Sequence, residues 1–144
     1  MLCVKIALVP GGMEPCRMTP HAVGFDLFAR LDEPLILQPR KRAAIPVGFT
    51  IEIPEGYEAQ IRPRSGLALN KGLALLNSPG TIDPDYRGEV KVIVANLGEE
   101  EIEISNGDRI AQMVIVPVAD AKLCIVAELS KSQRGQGGFG STGK

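Results

Sequence analysis

The chain has 144 residues, of which 44% are hydrophobic and 23% are charged, and its formal net charge is −1. This length suits one domain with a real core, and the composition is ordinary for a soluble globular protein. Because the net charge is close to zero, the chain has no electrostatic reason to bind a nucleic-acid backbone. No nucleic-acid partner is therefore expected, and any bound anion must be met by local groups.

Cysteine usage and hydropathy point to a compartment. The three cysteines, Cys3, Cys16 and Cys124, are far apart and form no C-x-x-C pair. A disulfide framework or a structural zinc site is therefore not expected, and a reducing cytoplasm is predicted. The only histidine, His21, is predicted to lie on the surface. The chain begins in the strand-like LCVKIALV without a basic region, and it contains no apolar run of about 18 residues, so neither a signal peptide nor a membrane span is predicted.

Short strands are predicted along the whole chain, because eleven prolines and sixteen glycines leave little room for a long helix. Apolar and polar residues alternate in residues 50–53 and 57–62, which is typical of half-buried strands. Residues 90–94 and 110–116 are more continuously apolar and indicate deeply buried strands. One short helix is predicted over SGLALN, with Ser65 as its candidate N-cap. This pattern predicts an all-β fold, a jelly-roll-like β-barrel of many short strands.

Several polar stretches interrupt this pattern, and the longest is NSPGTIDPDYRG, residues 77–88. Pro79 and Gly80 suit the central pair of a type II turn, and the segment Asp83-Pro84-Asp85 opens a second turn. Taken alone, the two aspartates are best interpreted as residues that form turns.

Three other segments also have plain structural explanations when each is taken alone. PRSG (63–66) fits a strand end followed by a helix cap, and VGFDL (23–27) fits a strand that carries one aspartate. GDRIAQ (107–112) fits a turn that enters a strand, with Asp108 and Arg109 in solvent.

The chain ends in GFGSTGK, residues 138–144, which matches most of the phosphate-binding pattern G-x-x-x-x-G-K-[ST]. The Ser or Thr that would hold magnesium is missing, as is the helix that would meet the phosphates, so a P-loop is not expected. Three interpretations of this segment remain open: a broken nucleotide site, a flexible tail, and a phosphate-binding segment of a different kind. We expect a barrel domain over residues 1–131 and a mobile Gly-rich arm over 132–144.

Five segments occur in a fixed order: GFDL, PRSGLA, NSPGTIDPDYRGEV, GDRIAQ and RGQGGFGSTG. In sequence and spacing, from Gly24 to Gly143, this set closely resembles the five motifs of the trimeric deoxyuridine triphosphatase (dUTPase) family. The departures are Val23 and Phe25, where the family more often has small residues and Tyr. The resemblance implies a hydrolase that converts dUTP to dUMP and pyrophosphate, limiting uracil in DNA and supplying dUMP for thymidylate synthesis.

The resemblance also implies catalytic roles. Asp83 would be the general base for a water that attacks the α-phosphorus. Magnesium would lie mainly on the substrate phosphates and would reach Asp26 through a water. The residues expected to bind the triphosphate are Arg64, Ser65, Gly66 and Gln112.

Base and sugar selection would belong to the third motif. By resemblance, Asn77 bonds the uracil, and Thr81 and Ile82 line its pocket beside the catalytic aspartate. The ring of Tyr86 would pack under the deoxyribose and collide with a ribose 2′-hydroxyl. Lys91, just downstream, is expected to assist binding.

The C-terminal segment resembles the mobile arm of the family rather than a P-loop. Phe139 would lie over the uracil ring, and Arg134 would meet the γ-phosphate. Gly140, Ser141 and Thr142 would complete the grip, and closure of the arm would exclude water.

The resemblance further implies a homotrimer whose sites are shared between subunits. Val92, Val94 and residues 110–116 are candidates for a threefold interface or, equally, for the barrel core. Three alternatives remain open: a dCTP deaminase of the same fold, a non-catalytic nucleotide sensor, and an RNA-binding protein with an RGG-like tail.

Overall fold

The computed structural model describes residues 1–139, and within that range the chain forms ten β-strands and one α-helix. The all-β class predicted from the sequence is therefore confirmed. The elements in chain order are β1 Lys5–Leu8, β2 Phe25–Phe28, β3 Leu35–Leu37, β4 Arg42–Glu52, β5 Tyr57–Arg62, α1 Ser65–Lys71, β6 Leu73–Leu75, β7 Gly80–Ile82, β8 Glu89–Asn96, β9 Ile102–Ile104 and β10 Arg109–Pro117.

The strands form two four-stranded sheets and a small two-stranded one. The strand order is β1-β4-β8-β6 in the first sheet and β2-β10-β5-β7 in the second, while β3 pairs with β9. Every pairing is antiparallel. Two four-stranded antiparallel sheets that enclose one core are the jelly-roll arrangement that the sequence predicts.

The core between the sheets is aliphatic, as the scarcity of aromatic residues requires. In β8, Val90, Val92 and Val94 are buried, whereas Lys91 and Ile93 are exposed. This strand is therefore half-buried, and the prediction of a deeply buried strand is wrong for it. Val92 and Val94 fill the barrel core, so of the two locations that the sequence left open for them, the core is the one observed. The largest fully buried side chains include Phe49, Leu27, Ile45, Ile104 and Ile110.

The helix lies where the sequence predicts it, but its N-cap differs. Arg64 is the N-cap, with extended backbone and no capping hydrogen bond from its side chain, and Ser65 is the first helical residue. The assignment of Ser65 as N-cap is therefore wrong by one position. The helix ends at Gly72, which has a φ of 68° and donates its N–H to Ala68 O, a left-handed conformation that glycine adopts without strain. In the described part of the chain, no helix has the length and hydropathy needed to cross a membrane.

The two turns predicted in residues 77–88 have different outcomes. Gly80 lacks the positive φ that a type II turn requires, since it begins β7 and pairs with Ile61 of β5; the peptide bond before Pro79 is cis. The type II turn is therefore wrong, because the extended strand claims Gly80. The turn at Asp83 is confirmed, since Tyr86 N–H donates to Asp83 O at 3.2 Å.

The first and fourth strands are joined by a surface ion pair. Lys5 and Glu52 face each other in register, and Lys5 Nζ donates to Glu52 Oε1 at 2.7 Å. This hydrogen bond raises the pKa of Lys5 and lowers the pKa of Glu52. Because both side chains are well exposed, the pair contributes little to stability.

The chain leaves the barrel after β10. Val118 N–H donates to Gly56 O at 2.8 Å. Beyond that point, within the described range, no hydrogen bond joins residues 119–139 to the barrel, and nearly all of these residues are exposed. The boundary between barrel and arm at residues 131 and 132 stays a prediction.

Candidate active site

A cluster of charged side chains lies at one edge of the second sheet. Arg109 Nη1 donates to Asp26 Oδ2 at 3.1 Å, and Arg64 Nε lies 3.6 Å from Asp26 Oδ1. Arg64 Nη1 also donates to the backbone O of Arg109 at 3.0 Å. Only 13% of the Asp26 side chain is exposed, so its carboxylate needs the two guanidinium groups as partners.

Strand register brings this cluster together. Gln112 of β10 lies opposite both Asp26 of β2 and Arg62 of β5. In a regular strand, residues 109 and 112 would point to opposite faces, because successive side chains alternate. A register shift between Arg109 and Ala111 interrupts that alternation and allows both side chains to lie on the Asp26 side.

Gln112 is held by the backbone on two sides. Its Nε2 donates to Pro63 O at 3.0 Å, and Gly24 packs directly against its amide. A Cβ atom at position 24 would lie 3.2 Å from both Cβ and Cδ of Gln112, and closer still to its Oε1. The absence of a side chain at position 24 therefore makes room for the Gln112 side chain.

Arg109 belongs to this cluster but was not among the predicted site residues, and the segment GDRIAQ taken alone fits a turn with Asp108 and Arg109 in solvent. Asp108 does lie on the surface, where its Oδ2 accepts a hydrogen bond from Ser105 N–H in the turn before β10. Arg109 instead forms the shorter of the two ion pairs to Asp26. The only sequence signal was its position at the start of the strand that carries Gln112. The bulge that aims its side chain cannot be read from the residue types.

The two guanidinium groups outnumber the one carboxylate, so the cluster can attract an anion. Ser65 and Gly66 are exposed at the start of α1, beside Arg64, and the first turn of the helix contains no acidic residue. A cleft of about 280 Å³ adjoins the cluster, and its lining includes three cationic residues and two acidic ones, namely Arg64, Lys71, Arg109, Glu103 and Asp108. Four of the residues predicted to bind phosphates or magnesium are therefore grouped: Asp26, Arg64, Gln112 and, by position in the chain, Ser65.

Arg109 gives a prediction for this cluster that concerns stability alone. Arg109→Met removes the closer partner of the Asp26 carboxylate, so the free energy of unfolding should fall by about 1–2 kcal/mol. The measurement is urea unfolding of Arg109→Met in the unaltered chain and in an Asp26→Asn background. In the Asp26→Asn background, the side chain at position 26 has no charge for Arg109 to pair with. The loss of unfolding free energy caused by Arg109→Met should therefore be much smaller there. Equal losses in the two backgrounds would show that the ion pair contributes nothing.

A second cleft holds most of the residues predicted to select the base and sugar. Thr81, Ile82, Asp83, Tyr86 and Lys91 line a space of about 290 Å³ beside β8. The turn after β7 presents the exposed Asp83 carboxylate at the rim of this cleft. Asn77 is exposed and lies against Gly80, outside the lining of the cleft.

The two groups of residues lie apart within one chain. Asp26 is on β2 and Thr81 is on β7, which are the outer strands of the second sheet. Three strand spacings separate these strands, a lateral distance of roughly 14 Å. The two clefts have no lining residue in common.

The residues predicted in the arm contact neither group. Arg134 Nε donates to Gly137 O at 2.7 Å within the arm itself, and Phe139 is fully exposed. Gly140, Ser141 and Thr142, also predicted in the site, lie outside the described residues.

The molecule is an antiparallel jelly-roll barrel that carries a basic cluster suited to phosphate groups and a separate cleft bordered by the exposed Asp83 carboxylate. The family model for dUTPase matches residues 12–143. This chain therefore belongs to the dUTPase family.

Similar proteins and solved structures agree with this assignment. Deoxyuridine 5'-triphosphate nucleotidohydrolase of Rhizobium johnstonii is 59% identical over 142 residues, which cover 97% of this chain and 91% of that protein. The protein of the same name from Anaplasma marginale is 50% identical over 146 residues and covers 99% of both chains. The dUTPase of Staphylococcus bacteriophage 80alpha, solved with dUpNHpp, superposes with a TM-score of 0.87 at 29% identity, covering 99% of each chain. A mutant dUTPase of S. aureus phage phi11, solved with a structural Mg(II) ion, has a TM-score of 0.77 at 25% identity, covering 88% of this chain and 97% of that one.

Proposed function

We propose that this chain hydrolyses dUTP to dUMP and pyrophosphate by attack of a water on the α-phosphorus. The observation that carries the proposal is the cleft in which Asp83, Thr81, Ile82 and Tyr86 meet, because these are the residues that the third motif of the family assigns to base, sugar and water. The cellular role would be to limit uracil in DNA and to supply dUMP.

Asp83 is the proposed general base. The backbone carbonyl of Asp83 accepts a hydrogen bond from Tyr86 N–H, and the turn that this bond closes fixes the backbone from which the Asp83 side chain projects. The carboxylate is exposed in the single chain, so it is free to accept a proton from a water held against the substrate. A bound nucleotide would cover the cleft and would remove bulk water from around the carboxylate.

The triphosphate would be bound by the basic cluster. Arg64 already has its guanidinium at the cluster, and Gln112 has one amide N–H bonded to Pro63 O, which fixes the direction of its side chain. Ser65 and Gly66 add backbone N–H groups and a hydroxyl beside Arg64. Arg109 would hold Asp26 in place while Arg64 turns toward the phosphates.

Magnesium fits this arrangement only if the substrate supplies most of its ligands. Within residues 1–139, no group of three or more His, Cys, Asp and Glu side chains could hold a metal ion. Asp26 offers a carboxylate at the basic cluster, which suits a single contact through a water. When bound on the phosphates, magnesium would neutralise part of their charge.

The uracil and the deoxyribose would occupy the second cleft. Thr81 and Ile82 would line the base pocket, Asn77 would bond the uracil, and Lys91 would assist binding from β8. Asn77 lies outside the cleft in this single chain, so its role would need the base to extend toward the start of β7. The ring of Tyr86 would form the wall that meets the sugar.

We propose a homotrimer in which the sites are shared between subunits. The separation of roughly 14 Å between β2 and β7 supports a shared site, because the general base and the residues that bind the triphosphate must act on one substrate molecule. The course of residues 119–139 also supports it, since they leave the barrel and carry Arg134 and Phe139 away from both clefts of their own chain. In the trimer, the arm, including Gly140, Ser141 and Thr142, would close a neighbour's site.

The compartment is a further proposal. Cys3, Cys16 and Cys124 are all free thiols, and two of them are exposed. Exposed thiols persist in a reducing environment, which supports the cytoplasm.

Product analysis tests the function. The pure protein is incubated with dUTP and magnesium, and we expect dUMP and pyrophosphate in equal amounts. A parallel reaction with dCTP should release no ammonia. Ammonia from dCTP would favour the deaminase, and the absence of turnover with either nucleotide would favour a non-catalytic sensor.

Tyr86→Ala tests how the sugar is read. Removing the ring removes the proposed steric barrier to a ribose 2′-hydroxyl, so the ratio of kcat/KM for UTP to that for dUTP should rise by about tenfold or more. The kcat for dUTP should change less than this ratio. An unchanged ratio would show that the sugar is read elsewhere.

A further inference from the structure

The ring of Tyr86 folds back along its own chain. Its Oη donates to the backbone O of Glu89 at 3.0 Å, so the ring spans the intervening residues 87 and 88. At the other end of the residue, Tyr86 N–H donates to Asp83 O. The ring is 45% exposed, so this contact with the chain, rather than burial, sets its direction.

Gly88 lies directly against the hydroxyl end of this ring. The three heavy atoms nearest to a Cβ built at position 88 are all in Tyr86: Cζ at 2.7 Å, Cε2 at 3.0 Å, and Oη closer still. Real Cβ atoms do not approach other atoms so closely. A side chain at position 88 would therefore force the Tyr86 ring to move.

Backbone conformation does not explain the glycine. Gly88 has no positive φ, unlike Gly48, Gly56, Gly72 and Gly107, where the left-handed region favours glycine. A left-handed backbone is therefore not the reason for glycine at position 88. The contact with the ring is the constraint that remains.

The neighbouring turn is braced independently of the ring. Arg87 Nη1 donates to Pro84 O at 2.6 Å and to Tyr86 O at 3.0 Å. A Cβ at position 88 would therefore be accommodated by rotation of the exposed Tyr86 side chain, while the turn that carries Asp83 keeps its path. The Tyr86 ring, which borders the cleft, would move, whereas the Asp83 carboxylate would keep its position.

We propose that Gly88 is a positioning residue for sugar selectivity, acting through Tyr86. Because position 88 has no side chain, the hydroxyl end of the ring lies close to the backbone of residue 88 and bonds to Glu89 O, and Tyr86 borders the cleft that contains Asp83 and Thr81. A ring held in this way has one orientation and can reject a ribose 2′-hydroxyl. This inference rests on the proposed hydrolysis of dUTP and adds a residue that the five-motif assignment leaves without a role.

The test is a double-mutant cycle of Gly88→Ala and Tyr86→Ala, with kcat/KM measured for dUTP and UTP by pyrophosphate release. Gly88→Ala should raise the UTP-to-dUTP ratio by about tenfold. In the Tyr86→Ala background, Gly88→Ala should not change the ratio further. An unchanged ratio in Gly88→Ala, or an equal effect in both backgrounds, would overturn the proposal.

Two further measurements separate the possible failures. With Tyr57→Phe, Tyr86 is the only tyrosine in the chain, and Gly88→Ala should shift its ring signals in the proton NMR spectrum. If Gly88→Ala does not fold, the double variant should fold, because the colliding ring is gone; failure of both to fold would place the role of Gly88 in the backbone and overturn the proposal. If the unaltered chain releases no pyrophosphate from dUTP, the proposed function fails, and the selectivity claim falls with it even if the ring signals shift.

Discussion

Asp83→Asn should retain dUTP binding and lose most turnover, with kcat reduced by roughly a hundredfold or more. The amide preserves the shape of the carboxylate but cannot accept the proton of the attacking water. Because the turn is formed by the backbone bond from Tyr86 N–H to Asp83 O, the substitution leaves the geometry of the cleft intact. Steady-state kinetics give kcat, and binding of a non-hydrolysable dUTP analogue gives affinity.

Asp85→Asn is the matched control, since Asp85 is exposed in the same turn and does not line the cleft. It changes the net charge by the same amount and should leave kcat close to its original value. A near-normal kcat for Asp83→Asn would remove Asp83 from the role of base. Equal losses in both variants would assign the effect to the charge of the turn.

Deleting residues 132–144 should leave a folded protein whose catalysis is severely reduced. Among the described residues of this segment, none bonds to the barrel, so the unfolding midpoint should change little. The deletion removes Arg134 and Phe139 together with the last residues of the chain. Removing each charge-assisted hydrogen bond to the phosphates should lower kcat/KM by roughly tenfold or more. A truncated protein that keeps full kcat/KM would mean that the arm is only a tail.

Phe139→Trp tests closure of the arm without removing it. The chain has no other tryptophan, so its fluorescence reports on this position alone. The side chain is fully exposed in the free chain, and stacking on a bound uracil should change its emission. A signal that ignores a non-hydrolysable dUTP analogue would contradict closure over the base.

Mixed oligomers test whether the arm serves a neighbour. The Asp83→Asn chain and the arm-deleted chain should each be nearly inactive, and mixed trimers should regain part of the activity. Recovery is expected because a site can then take its base from one chain and its arm from another. No recovery, with subunit exchange shown by mass spectrometry, would mean that the base and the arm act within one chain.

The strands were predictable where burial follows a simple alternation. In β5, Ala59 and Ile61 are buried while their neighbours are half-buried or exposed, and the strand has the bounds that this alternation predicts. The short helix was predicted from the segment SGLALN, and the left-handed Gly72 that ends it is a common helix terminator. The type II turn predicted at Pro79 and Gly80 was wrong, because local turn preferences cannot show that Gly80 pairs with Ile61 in another strand.

The residues of the candidate site could be proposed from motifs, but their geometry could not. Asp26, Arg64 and Gln112 meet as the motifs imply, yet the bulge that adds Arg109 to them depends on how β10 pairs with β2. The contact between Gly88 and the Tyr86 ring was hidden for a similar reason. In the sequence, Gly88 indicates only a turn. The structure shows that the Tyr86 ring occupies the space where a side chain at position 88 would lie.

We propose that this chain hydrolyses dUTP at the α-phosphorus, with a water as nucleophile. The most direct measurement runs the reaction in ¹⁸O-labelled water with magnesium and locates the label by mass spectrometry. One labelled oxygen in each dUMP, and none in pyrophosphate, is the predicted result. Label in pyrophosphate would place the attack on the β-phosphorus, and the absence of labelled dUMP from the unaltered protein would contradict the claim outright.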